Sequence, residues 1–76
     1  MMWLDYDCRV KYVTQYEWYE VEIDGFTIYV CGATLDEADA LALATMYRSN
    51  FDLENIFGDD ITVDYTNNVI SYHEYP

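Results

Sequence analysis

The chain has 76 residues, of which 15 are acidic and three are basic, so that its formal net charge at pH 7 is −12. A field this negative repels phosphate groups, which argues against direct binding to nucleic acid or to an anionic membrane. High net charge is typical of disordered chains only when hydrophobicity is low, whereas 53% of these residues are hydrophobic. We therefore expect one folded acidic domain spanning residues 1–76, with a basic protein as its partner.

The start of the chain and its two cysteines predict the compartment. Residues 1–5 show neither the basic n-region nor the apolar h-region of a secretory signal, and no apolar run approaches the length of a membrane span. Cys8 and Cys31 are too few for a disulfide framework, and strand alternation places them on opposite faces of a sheet. These features predict a cytoplasmic protein with reduced thiols.

Three strands are predicted in the first half of the chain. Residues 5–13 and 16–23 alternate between apolar and polar side chains, which is typical of half-buried strands. Asp24-Gly25 is a strong hairpin signal, because both central residues of a type I′ turn need positive φ. The strand 26–31 then returns along its neighbour. The side chains expected to face the core are Tyr6, Cys8, Val10, Tyr12, Tyr19, Val21, Ile23, Phe26, Ile28 and Val30.

One long helix is predicted within the stretch from Gly32 to Phe51. Thr34 and Glu37 have the spacing of a capping box, and carboxylates in the first turns suit the positive end of the helix dipole. The run 38–44 is rich in strong helix formers. At about 100° per residue, the more apolar face carries Leu35, Ala38, Leu41, Ala42, Thr45 and Met46, and the other face carries Asp36, Glu37, Ala40, Ala44 and Arg48.

The segment after the helix leaves one alternative open. Residues 50–58 fit either a loop or a short second helix capped by Asp52. A turn at 58–60, a strand at 61–65, a tight turn at Asn67-Asn68 and a strand at 69–75 follow. The order of elements is therefore βββαββ. It predicts an α+β fold, a small antiparallel sheet with one main helix that covers one face.

The sequence carries no catalytic or metal-binding motif. His73 is the only histidine, and no local signature supplies it with a nucleophile or a second titrating group, although a Cys–His pair remains open on sequence alone. One histidine and two distant cysteines do not make a tetrahedral zinc site. The acids Asp59, Asp60 and Asp64 lack the spacing of a calcium-binding loop. We therefore predict no enzymatic activity, no metal site and no cofactor.

Carboxylates and aromatic side chains are the features that point to a function. Acids are spaced along the second strand, cluster at the start of the helix and crowd residues 52–64. Carboxylates arranged along a folded surface imitate a line of phosphates, and exposed aromatic rings add the rigid anchors common at interface hot spots. Tyr29 is expected to be one such exposed ring. The predicted partner-binding residues are Glu20, Glu22, Asp36, Glu37, Asp39, Trp18, Tyr16 and Tyr47.

A very small, acidic, aromatic-rich domain without catalytic residues resembles the phage-encoded inhibitors of bacterial defence, especially the anti-CRISPR and anti-restriction DNA mimics. The resemblance covers the whole chain in size and charge and involves no motif. It implies an inhibitor in the host-cell cytoplasm that blocks DNA binding by a nucleic-acid-targeting defence complex through an acidic surface. Monomer and homodimer both stay open, and so does inhibition by wedging against a moving subunit.

Two other hypotheses follow from the same residues. The segment 32–38, Gly-Ala-Thr-Leu-Asp-Glu-Ala, is similar to the strand-to-helix step of HicB-like antitoxin domains, which also run three strands into a helix. This similarity implies an antitoxin or adaptor that binds a protein through an aromatic sheet face. The third hypothesis is adaptation to high salt, where acidic, lysine-poor surfaces are expected.

Overall fold

The structure, a computed structural model, describes residues 8–73, which form a five-stranded sheet covered on one face by helices. This content confirms the predicted α+β class and the order βββαββ, with a short second helix added. The predicted strand residues 5–7 and 74–75, Tyr6 among them, lie outside the described residues. The elements are β1 (Cys8–Val13), β2 (Trp18–Ile23), β3 (Phe26–Cys31), α1 (Glu37–Arg48), α2 (Leu53–Phe57), a 3-10 turn (Gly58–Asp60), β4 (Ile61–Asp64) and β5 (Val69–Tyr72).

The strands lie in the order β1-β2-β3-β5-β4. Strands joined by short turns pair antiparallel, as predicted, whereas β3 and β5 pair in parallel. The chain leaves β3 into α1, comes back along β4 at the edge of the sheet and then reverses into β5, so that β5 runs in the direction of β3. At the hairpin between β2 and β3, Asp24 has φ 53° and Gly25 has φ 81°, which confirms the predicted turn.

The core lies between the sheet and α1. Val21 faces Ile28 across β2 and β3, Val30 faces Ile70 across the parallel pair, and all four side chains are fully buried. Their burial follows from the period of two in each strand, which directs alternate side chains to one face. Each such side chain contributes about 1.5–3 kcal/mol when it leaves water, so this layer holds the sheet against the helix.

The start of α1 differs from the prediction. Asp36, rather than Thr34, is the N-cap, and its Oδ1 accepts a hydrogen bond from the N–H of Asp39 at 2.9 Å. The Asp39 carboxylate accepts in turn from the N–H of Asp36 at 3.2 Å, which completes a capping box. The helix begins later because residues 32–35 form a turn that carries Leu35 back against the core.

The buried face of α1 matches the predicted one only in part, since Leu41 and Met46 pack against the core but are half-buried. Ala40, Leu43 and Ala44 are buried, and both alanines were placed on the other face, while Ala42 is exposed. Alanines alternate through residues 38–44, so their pattern does not distinguish one helix face from another. The structure buries two of these small side chains because they let the helix backbone approach the sheet closely.

The end of α1 reverses the chain in a Schellman motif. The N–H of Phe51 donates to the carbonyl of Met46 and the N–H of Asn50 donates to that of Tyr47, each at 3.0 Å. Asn50 has φ 71°, the left-handed conformation that this motif requires. Asp52 then caps α2 by accepting from the N–H of Asn55 at 3.2 Å, so the residues left open between loop and helix form a helix.

Candidate partner-binding surfaces

The face of the sheet that the helices leave uncovered, here called the open sheet face, carries two of the predicted acids. Arg9 lies opposite Glu22 and Lys11 lies opposite Glu20 across β1 and β2. Nη2 of Arg9 is 3.5 Å from Oε1 of Glu22, and both side chains are well exposed. An exposed pair of this kind stabilises the fold by about 0–1 kcal/mol, but it offsets charge locally. The predicted acids of β2 are therefore balanced by neighbouring cations.

Three aromatic rings stack on the open sheet face, and we call them the aromatic stack. The ring centroid of Trp18 lies 4.9 Å from those of both Tyr16 and Tyr29. Tyr16 is 56% exposed, as predicted, whereas Trp18 and Tyr29 are half-buried, and in that the prediction of exposed rings was wrong. The Nε1 atom of Trp18 is buried and has no hydrogen-bond partner within residues 8–73.

The acids at the start of α1 form a second surface, the α1 acidic cluster (Asp36, Glu37 and Asp39). All three are exposed, and two of them hold each other in the capping box. Partial desolvation raises the pKa of the neighbouring Tyr19 above 10.0, and its interactions with Tyr12 and with the cluster act in the same direction. The cluster is thus a rigid, concentrated negative charge beside two tyrosines of the sheet.

Tyr19 connects this cluster to the sheet through a hydrogen bond and a ring contact. Its hydroxyl donates to the carbonyl oxygen of Leu35 at 3.3 Å, one residue before the N-cap. Its ring meets that of Tyr12 edge-on, with the centroids 4.9 Å apart. Because the ring is anchored at both ends, the start of α1 is fixed relative to β1 and β2.

A third surface lies where α1 ends, and we call it the aromatic cleft. Its volume is about 290 Å³. Phe51 and Tyr65 are 52% and 58% exposed, and Phe26, which was predicted to face the core, is 38% exposed. The residues that line the cleft are Phe26, Tyr47, Arg48, Asn50, Phe51, Asp52 and Tyr65.

Tyr47, the last predicted aromatic anchor, belongs to this cleft and is half-buried rather than exposed. Its hydroxyl donates to Oδ1 of Asn68 at 2.9 Å, and its ring centroid lies 5.8 Å from that of Tyr65. Burial raises the pKa of the Tyr47 hydroxyl above 10.0, and interactions with Tyr65 and Asp64 raise it further. Tyr47 is therefore a fixed wall of the cleft.

The predicted site residues thus divide among three surfaces instead of forming one. Glu20, Glu22, Trp18 and Tyr16 lie on or beside the open sheet face, the three helix acids form the α1 acidic cluster, and Tyr47 lies in the cleft. The sequence analysis missed Phe51 and Tyr65 as surface residues. Asn50, two residues after the last helical residue Arg48, was the signal for the turn that exposes Phe51.

The one histidine and the two cysteines are the remaining candidate reactive side chains. Nε2 of His73 is 2.8 Å from Oγ1 of Thr62 at an exposed position. Cys31 lies on the open sheet face, with Sγ 3.4 Å from Oγ of Ser71, and Cys8 packs against the core on the helix side, so alternation placed both correctly. Among residues 8–73, no group of three or more His, Cys, Asp or Glu side chains is arranged to hold a metal ion.

Comparisons of the chain with protein-family models, with curated proteins and with solved structures found no match. In the part of the chain that the structure describes, no helix is long and apolar enough to cross a membrane. The three surfaces therefore carry what can be inferred about function.

Proposed function

We propose that this protein binds a basic, nucleic-acid-binding protein of a bacterial defence complex and blocks its DNA-binding groove, as a phage-encoded inhibitor would. The observation that supports the proposal is the α1 acidic cluster. Three exposed carboxylates stand within four residues, and the capping box fixes the positions of two of them. Carboxylate side chains that are already held in place lose little conformational freedom when a partner docks, so the entropic cost of binding is small.

The charge of the rest of the chain supports the same partner. The net charge is −12, and no charged side chain is buried within residues 8–73. An exposed field of this size attracts a surface rich in Arg and Lys over several ångströms and accelerates its association. Partner binding would then compete directly with DNA, because both ligands present negative charge to the same groove.

Only some of the predicted acids carry this proposal. Glu20 and Glu22 each face a cation across the strand pair, and one of them is ion-paired, so they imitate phosphates poorly. Within residues 8–73, no cation forms a hydrogen bond or ion pair with the acids of the α1 acidic cluster. We therefore assign the phosphate-like contacts to the cluster.

The test begins with the tagged protein immobilised and exposed to a bacterial lysate that contains defence complexes. A captured nucleic-acid-binding complex is then challenged with duplex DNA. Release by DNA supports competition for the groove, whereas retention in excess DNA contradicts mimicry. The affinity of the identified partner is next measured for the variant Asp36→Asn/Glu37→Gln/Asp39→Asn, which removes three charges while Asn keeps the capping geometry.

A matched control removes three charges elsewhere, as Asp24→Asn/Asp59→Asn/Asp60→Asn. All three positions are exposed, and Asn tolerates the positive φ at position 24. We expect the cluster variant to bind at least about tenfold more weakly and to lose salt dependence, with a much smaller effect from the control. Equal losses from both variants would indicate attraction by total charge alone.

The aromatic stack supports a second candidate, an antitoxin or adaptor that binds one protein through the open sheet face. Three rings at 4.9 Å spacing form a broad, preorganised apolar platform. Tyr16→Ala then weakens binding, because that ring is the most exposed of the three, while the cluster variant has little effect. The two variants together separate this candidate from the DNA mimic.

A further inference from the structure

We propose that the aromatic cleft at the end of α1 receives a single arginine side chain of the basic partner. The inference depends on the proposed function only in taking the partner to be basic. It assigns a binding role to Phe51, Tyr65 and Asp52, which lie at the other end of α1 from the acidic cluster.

The walls of the cleft suit a planar cation. The ring centroids of Tyr47 and Tyr65 lie 5.8 Å apart, and the two ring planes are tilted by 33°. Phe51 also lines the cleft and is 52% exposed. The faces of aromatic rings carry partial negative charge and attract a guanidinium group. At about 290 Å³, the cleft is at the lower end of the range for ligand pockets, which fits one side chain.

The charge around the cleft favours a cation as well. Asp52 lines it, and the negative end of the α1 dipole points into the same region. Desolvation raises the pKa of the Tyr47 and Tyr65 hydroxyls, and nearby carboxylates raise it further, Asp64 for Tyr47 and Asp52 and Glu54 for Tyr65. On the lining itself Arg48 and Asp52 balance each other, and the neighbouring Asp64 and Glu54 make the surroundings of the cleft negative.

Arg48 shows how a guanidinium group lies against these walls. Its Cζ is 5.1 Å from the ring centroid of Phe26. Among the described residues, Arg48 has no carboxylate within ion-pair distance, so Asp52 is not neutralised by it. A partner's arginine has the same chemistry available on Tyr65 and Phe51, together with the Asp52 carboxylate, which caps α2 through Oδ1 and has no ion-pair partner in the described residues.

The experiment is a titration of the isotope-labelled full chain, followed by amide NMR, with the capped peptide acetyl-Gly-Arg-Gly-amide at about 150 mM salt. The same peptide with citrulline, which is neutral and equally planar, isolates the charge. A third peptide with lysine isolates the guanidinium shape. We expect saturable shifts at Asn50, Phe51 and Tyr65 with the arginine peptide, smaller shifts with lysine and none with citrulline.

Substitutions of Tyr65 then test directly whether its ring binds the arginine side chain. Tyr65→Ala should weaken binding of the arginine peptide about fivefold, while Tyr65→Phe keeps the ring and the affinity. Ile56→Ala is the matched control, because Ile56 is 50% exposed and lies outside the cleft. Equal effects of Tyr65→Ala and Ile56→Ala would overturn the assignment, as would equal shifts from citrulline or an affinity for lysine as high as for arginine.

The result separates the cleft from the proposed function. If the arginine peptide shifts only the amides of the α1 acidic cluster, arginine binding in the cleft is contradicted and DNA mimicry is unaffected. If the arginine peptide binds in the cleft but the cluster variant leaves the affinity for the partner unchanged, arginine binding in the cleft is supported and DNA mimicry by the α1 acidic cluster is contradicted.

Discussion

Glu54 of α2 accepts a hydrogen bond through Oε2 from the backbone N–H of Val63 in β4, at 2.9 Å. Strand β4 is at the edge of the sheet, so this N–H points away from β5 and has no strand to receive it. Unpaired edge groups invite pairing with another chain. The side chain from α2 satisfies one of them, and the fully buried Leu53 next to it holds α2 in place.

Removal of this acceptor should destabilise the fold. We expect Glu54→Ala to lower the free energy of unfolding by about 1–3 kcal/mol, because a largely buried donor loses a charged partner. Glu54→Gln keeps a side-chain oxygen and should lose less. Urea unfolding measures both, with Asp59→Ala as a control that removes the same charge from an exposed turn. A loss equal to that of Asp59→Ala would show that the hydrogen bond contributes nothing.

A second prediction concerns Glu17, which has φ 56° in the turn between β1 and β2. A left-handed residue with a Cβ costs about 1–2 kcal/mol, and glycine avoids that cost. Glu17→Gly and Glu17→Ala remove the same charge, so the difference between their stabilities isolates the effect of the backbone conformation. We expect the glycine variant to be more stable than the alanine variant by about 1 kcal/mol in thermal unfolding. Equal midpoints would indicate that the turn relaxes to another conformation.

The strands and their turns were predictable because their signals are local. Alternation identified most of the residues of β1 to β3 that face the core, and Asp24-Gly25 identified the turn between β2 and β3 from two residues alone. Two residues predicted to face the core broke the pattern. Phe26 lies at the end of β3, where the end of α1 leaves it partly exposed under Arg48. Tyr12 lies on the edge strand β1 and is 48% exposed. A period of two shows the direction of a side chain but not whether something covers it.

The helix and the site were harder to predict, since both depend on distant contacts. Thr34 and Asp36 are both good caps, and the structure uses Asp36, where Leu35 packs on the core and Asp39 completes the capping box. The neutralisation of Glu22 depends on the register that places Arg9 opposite it. The aromatic cleft joins residues from β3, α1 and the β4–β5 turn, and no sequence window contains them together.

The carboxylate of Asp64 provides a prediction of pH dependence. The side-chain N–H of Asn67 donates to it at 2.9 Å, and backbone N–H groups of Asn67 and Thr66 add two more bonds. These bonds lower the pKa of Asp64 below its usual value of 3.8, although partial desolvation opposes them. A lowered pKa in the folded state means stability that is present above that usual value and is lost as the pH falls through the folded value.

Carboxyl-carbon NMR should therefore give a titration midpoint for Asp64 below 3.8, the value expected without these bonds. Asn67→Ala removes the side-chain donor, which is the largest cause of the shift, and should raise the midpoint. Asn55→Ala serves as the control, because no hydrogen bond joins Asn55 to Asp64 within the described residues. A midpoint unchanged by Asn67→Ala would show that the backbone donors alone hold the carboxylate.

The last prediction concerns salt. Repulsion within a chain of net charge −12 opposes folding, and one exposed ion pair within residues 8–73 offsets little of it. Salt shortens the range of this repulsion from about 10 Å at 0.1 M to about 3 Å at 1 M, so the thermal midpoint should rise and then level off. The variant Asp36→Asn/Glu37→Gln/Asp39→Asn should start from a higher midpoint and rise less. Sucrose, which stabilises without screening charge, serves as the control. A midpoint that keeps climbing well beyond 1 M, where screening is nearly complete, would favour adaptation to high salt over a dedicated interaction surface.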